Sequence, residues 1–296
     1  LYQMDYRKML RHHVEMEADI TIGTIPVTAE EAPAFGILQT DEEGYIEEFH
    51  EKPAADELGG LDSPVSEDME QADRVYLASM GIYIFNQEVL GEELQKNDEA
   101  HDFGHEVLPK AMKRRKLATY PFEGYWSDIG TIGSFFEANL ELAGKYPAYD
   151  LYNPEAPTYT HARMLAPAKI QNSLVQDSII SEGSIIVDSQ ITNSVIGIRS
   201  FVGRDATIKN SVIMGTDYVP WHDRSVRDTI EGPDRPGIGN ECYIEGAIID
   251  KNVKVGKNCI IKNRDDVTEG EGENYFIRDG IVILPKNAEL EPGTII

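Results

Sequence analysis

Through the last third of the chain an aliphatic residue returns at every fifth or sixth position, and Gly often follows it. The series runs Ile170, Val175, Ile180, Ile185, Ile191, Ile196, Val202, Ile208 and Ile213, then resumes at Ile238, Ile244, Ile249, Val255 and Ile261. Neither a helix stripe nor the two-residue alternation of a half-buried strand produces this spacing. One inward residue per short strand of a three-sided coil does. The pattern predicts a parallel β-helix of hexapeptide-type repeats. Gly197, Gly203, Gly239 and Gly256, each following a ladder residue, are expected to supply positive φ at tight corners. Such a coil is first of all a scaffold, so chemistry is sought upstream or beside it.

Upstream the pattern changes. A helix is predicted after the opening Leu1–Tyr6, with Met9, Leu10 and Val14 among its apolar positions. Strand-like runs follow at 18–26 and 35–40, then a turn at Glu42-Glu43-Gly44 and a strand at 45–50. Residues 54–73 are acidic, carry Gly and Pro, and show no period, so they read as a mobile surface loop. A strand at 75–85, helices near 87–95, 103–113 and 132–143, and a strand near 117–122 complete the segment. Strands alternating with helices predict a layered α/β domain over 1–146, with the proline-bearing 147–166 as linker and the coil over 167–296.

Composition narrows the partners. The formal net charge of −25 opposes nucleic acid and anionic membranes, and any phosphate must meet a local cluster of cations. No apolar run reaches membrane-spanning length and no basic-then-apolar leader opens the chain, so a cytoplasmic protein is expected. Cys242 and Cys259, both within the repeat, are expected as reduced thiols packed like small hydrophobes. Gly59-Gly60 has no neighbouring Lys and no following helix, so it is a loop tip rather than a phosphate cradle. His101 and His105 stand four apart without a third ligand at useful spacing and read as polar helix-start residues.

Several strings identify a family. TIPVTAEEAPAFGILQTDEEGYIEEFHEKP at 24–53, LASMGIYIF at 77–85, HDFGHEVLP at 101–109 and YPFEGYWSDIGTIGSFFEANL at 120–140 resemble ADP-glucose pyrophosphorylase, glucose-1-phosphate adenylyltransferase. PAKI at 167–170, SVIMGTDY at 211–218, AIIDKNVKVG at 247–256 and the stretch 275–296 continue the resemblance in the family's order. It implies part of a Rossmann-like, mixed-sheet nucleotide-diphospho-sugar transferase domain followed by a left-handed parallel β-helix. It also implies ATP and glucose 1-phosphate as substrates, Mg²⁺ as cofactor, small phosphorylated allosteric effectors, and a homotetramer serving glycogen or starch synthesis. The family's Gly-rich phosphate loop, its adenine-selecting residues and a Gly-Asp-His metal ligand would precede the stretch matched by Leu1-Tyr2. Taken alone, the chain is therefore expected to be inactive.

The resemblance assigns Lys52 to the sugar phosphate and Glu51 to sugar hydroxyls, where the pair by itself reads as a surface ion pair. It places Ser79 and Gly36 in the sugar pocket, otherwise packing and turn residues. Asp102 is a sugar-pocket residue by resemblance and a helix N-cap by residue type. Asp128 of YWSDIGT is the metal-ligand and catalytic candidate, although Ser127 stands where the family often has a charge. By resemblance Lys251 matches an effector-site lysine, with Arg278 as a candidate second cation, both otherwise exposed coil-corner charges, and Arg235 is a candidate substitute for a Lys that related sequences carry nearby. Three other readings stay open: a sugar-1-phosphate nucleotidyltransferase using another base, a non-catalytic regulatory subunit, and a β-helix acyltransferase. The last is disfavoured because no His lies within the regular coil runs.

Overall fold

The computed structural model describes residues 1–97, 99–218 and 236–296, which form two compact units: residues 2–126, and residues 127–296 together with Leu1. In the first, α1 (Tyr6–Glu15) precedes β1 (Ile20–Val27), β2 (Gly36–Thr40) and β3 (Ile46–Glu51). Then come α2 (Glu67–Gln71), β4 (Tyr76–Phe85), α3 (Gln87–Lys96), α4 (Leu108–Ala111) and β5 (Leu117–Pro121). The sheet order is β3-β2-β4-β1-β5, with β1 parallel to β5 and antiparallel to β4. Ile20, Ile22, Leu38, Val89, Leu108, Ala111 and Leu117 form one core cluster; Val27, Ala32, Ile37, Leu58, Leu61 and Ala78 form another.

Two expectations for this unit need correction. On α1 only Met9 of the three apolar positions is buried; Leu10 and Val14 are more than half exposed. The inward face is instead Met9 and His13, one turn apart, and the His13 ring is bonded to the Thr21 hydroxyl at 2.7 Å. The segment 54–73 is a pinned strap rather than a bare loop. It buries Leu58 and Leu61, contains α2, and ties Ser63 to the β2 backbone through the Leu38 carbonyl and the Thr40 amide. Its acidic composition conceals two aliphatic anchors.

In the second unit the coil forms three in-register ladders. Ile170, Ile186, Val202, Ile238, Val255 and Leu290 make one. Val175, Ile191, Ile208, Ile244 and Ile261 make the second, and Ile180, Ile196, Ile213, Ile249 and Leu284 the third. Ile186, fully buried, takes the inward place assigned above to its half-buried neighbour Ile185. Ile170, in the first coil, remains 46% exposed. Both cysteines are free and buried, as their composition suggested.

The glycine argument is also corrected. Gly197, Gly203, Gly239 and Gly256 do not have positive φ. They are small because coils touch there: a Cβ on Gly197 would lie 2.5 Å from the Met214 carbonyl oxygen, and one on Gly256 2.5 Å from the Pro292 nitrogen. Many corners belong instead to an Asn/Asp-Ser pair. Asn172, Asp177, Asp188, Asn193 and Asn210 have φ of 43–47°, a region their short polar side chains tolerate. The Ser after each donates to the carbonyl two residues back, at 2.6–2.8 Å. Ser173, Ser178 and Ser194 in turn accept the amide of the Ser one coil on, so each hydroxyl stitches two coils. Gly197→Ala is accordingly expected to cost about 2 kcal/mol by backbone overpacking and to lower the coil's Tm by several degrees. Gly246→Asn, at φ 65° with no atom within 4 Å, should leave the melt nearly unchanged.

After Trp126 the chain turns through Asp128 into α5 (Ile132–Ala143), which lies on the coil. Ile132, Phe135, Phe136 and Leu140 pack against Val195, Val212, Met214, Ile248, Ile281 and Ile283. No helix among the described residues is long and apolar enough to cross a membrane.

Candidate functional site

In the first unit the sugar-pocket candidates converge on one carboxylate. Gly36 opens β2 directly opposite Glu51 at the end of β3. A Cβ on Gly36 would stand 2.7 Å from Glu51 Oε2, and one on Gly104 would stand 3.0 Å from the same oxygen. Two glycines therefore leave the space that the Glu51 carboxylate occupies, and the Phe49 ring borders it. Asp102 Oδ1 would lie 3.3 Å from the Gly104 Cβ. Both carboxylates face one small volume.

Tyr83 joins them. Burial, more than any other influence, raises its phenol above the ordinary range; a hydrogen bond with Ser79 opposes this, and the charges of Glu51 and Asp102 add to it. Phe103 stacks on the Tyr83 ring with centroids 6.0 Å apart and an interplanar angle of 22°. The residue was not singled out from sequence because a regular strand keeps residues four apart well separated. Here β4 bulges: Ile22 pairs with Tyr83 but Thr24 pairs with Ser79, so two β1 steps span four on β4. Gly81, at φ 71°, permits the bulge, and its amide donates to Ser79 Oγ. A Gly inside an otherwise β-rich run was the available signal.

Asp102 precedes a π-helical turn, Phe103–Val107, rather than the regular helix start expected at Phe103. The Glu106 carboxylate accepts the His101 and Asp102 amides, which lower its pKa, while the Asp102 carbonyl accepts from Glu106 and Val107. Lys52, next to Glu51, is exposed at φ 47°, and its amide donates to the Phe35 carbonyl at 3.0 Å. A left-handed Lys costs about 1 kcal/mol and persists where the surroundings over-determine it. Two carboxylates, a hydroxyl and a phenol offer acceptors and donors suited to the hydroxyls of a polyol.

The other candidates lie in the second unit. Asp128 is exposed, with Oδ1 accepting the Gly130 amide at 3.1 Å. Among the described residues no group of three or more His, Cys, Asp or Glu is arranged to hold a metal. A single exposed carboxylate still suits Mg²⁺, which takes few protein ligands and completes its shell with substrate phosphate and water. Lys251 Nζ lies 3.0 Å from Asp217 Oδ1, and Lys286 Nζ lies 2.8 Å from Oδ2. Those two ammonium groups, Lys286 first, hold the Asp217 carboxyl far below its ordinary value. Arg278 belongs to a different network, paired with Glu269 and Glu271 and resting over the Phe276 ring. Among the described residues Lys251 and Arg278 have no shared ion-pair partner, and Lys286, unremarked in the sequence, shares Asp217 with Lys251. Arg235 lies outside the described residues.

Family models match both parts of the chain: the nucleotidyl transferase model over residues 1–145 and the GLGC left-handed parallel beta-helix domain model over residues 163–295. The first match takes in Asp128 and α5, whose packing partner is the coil. The chain therefore carries a nucleotidyl transferase domain followed by a left-handed parallel β-helix domain of the GLGC type.

Proposed function

We propose that the chain serves glucose-1-phosphate adenylyltransferase chemistry, in which a phosphate oxygen of glucose 1-phosphate attacks the α-phosphorus of ATP and pyrophosphate leaves. One observation carries the sugar-phosphate part: Glu51, Asp102, Ser79 and Tyr83 gather where Gly36 and Gly104 make room, with Lys52 next in sequence. The match to a GLGC-type β-helix favours the adenylyl branch among sugar-1-phosphate nucleotidyltransferases.

In this reading Glu51 and Asp102 accept sugar hydroxyls, and the Ser79–Tyr83 pair offers a further donor and acceptor. Lys52 neutralises the phosphate. The protein positions the reactants and contributes charge rather than forming a covalent bond. Asp128 would hold Mg²⁺ together with substrate phosphate, supplying positive charge to the leaving pyrophosphate. Lys251 and Lys286 form the cationic part of a phosphorylated-effector site, where an anion competes with Asp217 for their ammonium groups. A homotetramer completes the reading.

Titration calorimetry of the chain against glucose 1-phosphate, galactose 1-phosphate and inorganic phosphate tests the sugar site. Glucose 1-phosphate is expected to bind at least tenfold more tightly than inorganic phosphate, because only the sugar engages the two carboxylates. Equal affinity for all three would sink the assignment. Pyrophosphate release with ATP, UTP and GTP, assayed together with the family's nucleotide-binding segment, tests the base.

A further inference from the structure

The first turn of α5 is held by a residue that neither sequence nor family match singled out. Phe276–Arg278 and Ile281–Leu284 form an antiparallel hairpin on the coil, joined by Asp279 and Gly280, both at positive φ. This is the two-residue Asp-Gly turn that suits strand twist. The turn carries the Asp279 carboxylate to the start of α5, where Oδ2 accepts the Gly133 amide at 3.0 Å. A Cβ on Gly133 would lie 3.1 Å from that oxygen and press the carboxylate back by a few tenths of an ångström. A carboxylate suits this place because a helix N-terminus presents unpaired amides and partial positive charge.

Only a few residues separate this contact from Asp128. Thr131 caps α5, its hydroxyl accepting the Ser134 amide, and Ser134 Oγ accepts the Thr131 amide in return. Gly130 precedes the cap, and its amide holds Asp128 Oδ1 at 3.1 Å. A Cβ on Gly130 would lie 3.2 Å from the same oxygen, so the turn is closed tightly on the carboxylate. Beyond the cap, the apolar face of α5 is fixed to the coil by Ile132, Phe135, Phe136 and Leu140. Asp128 thus stands between two fastenings, the Ser127–Leu1 backbone pair before it and, after it, α5 with its hold on the hairpin.

We propose that Asp279 is a positioning residue for Asp128: by clamping the first turn of α5 to the coil it fixes the Asp128–Gly130 turn and the orientation of the carboxylate. The β-helix then takes part in nucleotidyl transfer mechanically, through one hydrogen bond. The neighbouring Arg278 gives the clamp a handle. Its guanidinium is bound to Glu269 and Glu271, so an anion that drew it away would disturb the hairpin carrying Asp279. The functional part of this proposal rests on the nucleotidyl transfer reading above; the clamp does not.

Amide hydrogen exchange of the chain, with Asp279→Ala and Asp279→Asn as variants, decides the clamp without any assay of activity. In Asp279→Ala the Gly133 and Gly130 amides are expected to exchange at least tenfold faster, while Phe136–Leu140 and the coil ladders keep their protection. Asp279→Asn retains an acceptor oxygen and should restore most of the protection. Unchanged exchange at Gly133, or faster exchange there with Gly130 unmoved, would overturn the proposal. Loss of protection throughout α5 would also overturn it, since that is a folding role. In nucleotidyl transfer, Asp279→Ala should lower kcat about tenfold with the sugar-phosphate KM unchanged, and an equal change in KM would count against positioning. If the chain alone turns over no sugar phosphate, as expected of it, exchange still decides the clamp and calorimetry against glucose 1-phosphate decides the sugar-site reading.

Discussion

Assayed together with the family's nucleotide-binding segment, Asp128→Asn is expected to lower kcat for nucleotidyl transfer by about 10²-fold or more while leaving the KM for glucose 1-phosphate within about twofold. The asymmetry follows from where the charge is needed. Asn keeps the shape of Asp128 and an oxygen able to accept the Gly130 amide, so the turn before α5 survives. It gives up the negative charge that makes a carboxylate a ligand for a hard divalent cation. Negative charge builds on the departing pyrophosphate in the transition state, so weaker cation binding is felt in kcat. The sugar candidates lie in the other unit and should not register the change. Steady-state kinetics across a range of Mg²⁺ concentration measures it, and an unaltered kcat at saturating Mg²⁺ would show that Asp128 only shapes the turn.

The complementary result is expected at Lys52. Lys52→Ala should weaken glucose 1-phosphate at least tenfold and leave ATP nearly unaffected. A charge-assisted hydrogen bond to phosphate is worth about 1.5–3 kcal/mol, and 1.4 kcal/mol is a factor of ten. The backbone supplies a control. Because Lys52 sits at φ 47°, Lys52→Gly relieves conformational strain while deleting the same cation. If the cation matters, both variants lose affinity although the Gly variant melts no lower than the parent. If Lys52 only shapes the corner after β3, Lys52→Gly should bind normally. Calorimetry and a melting curve on each variant separate the two.

What the amino-acid sequence disclosed, and what it hid, divides along physical lines. The coil was legible because a ladder needs one aliphatic residue per short strand, and such residues stand out against polar corners. Its details slipped wherever two residues of one kind were adjacent. Either of Ile185 and Ile186 satisfies the spacing, and only the inter-coil register places Ile186 inside. Glycine was read as a conformational device where it is a spatial one: the contact at Gly197 comes from Met214, in the next coil and invisible locally. In the sugar site, neighbouring Glu51 and Lys52 could be paired by eye. Tyr83 needed a bulge, and Gly104 needed a carboxylate arriving from another strand. Asp279 was the least visible, because its role depends on a helix 146 positions earlier in the chain.

The ladders also show where the chain is free to change length. Most coils advance by 16 or 17 residues, as from Ile191 to Ile208, yet Ile213 and Ile249 are stacked neighbours 36 positions apart, and Ile249 and Leu284 are 35 apart. Across both long intervals the coil resumes in phase, since the ladders on either side keep their partners. Added chain at such a corner costs only loop entropy, which grows slowly with length. One residue gained or lost within a strand would instead turn an aliphatic rung toward water. Natural variants of this architecture should therefore differ by whole appendages at the vertices of the prism, with its sides constant in length, and a grafted sequence has its safest point of entry there.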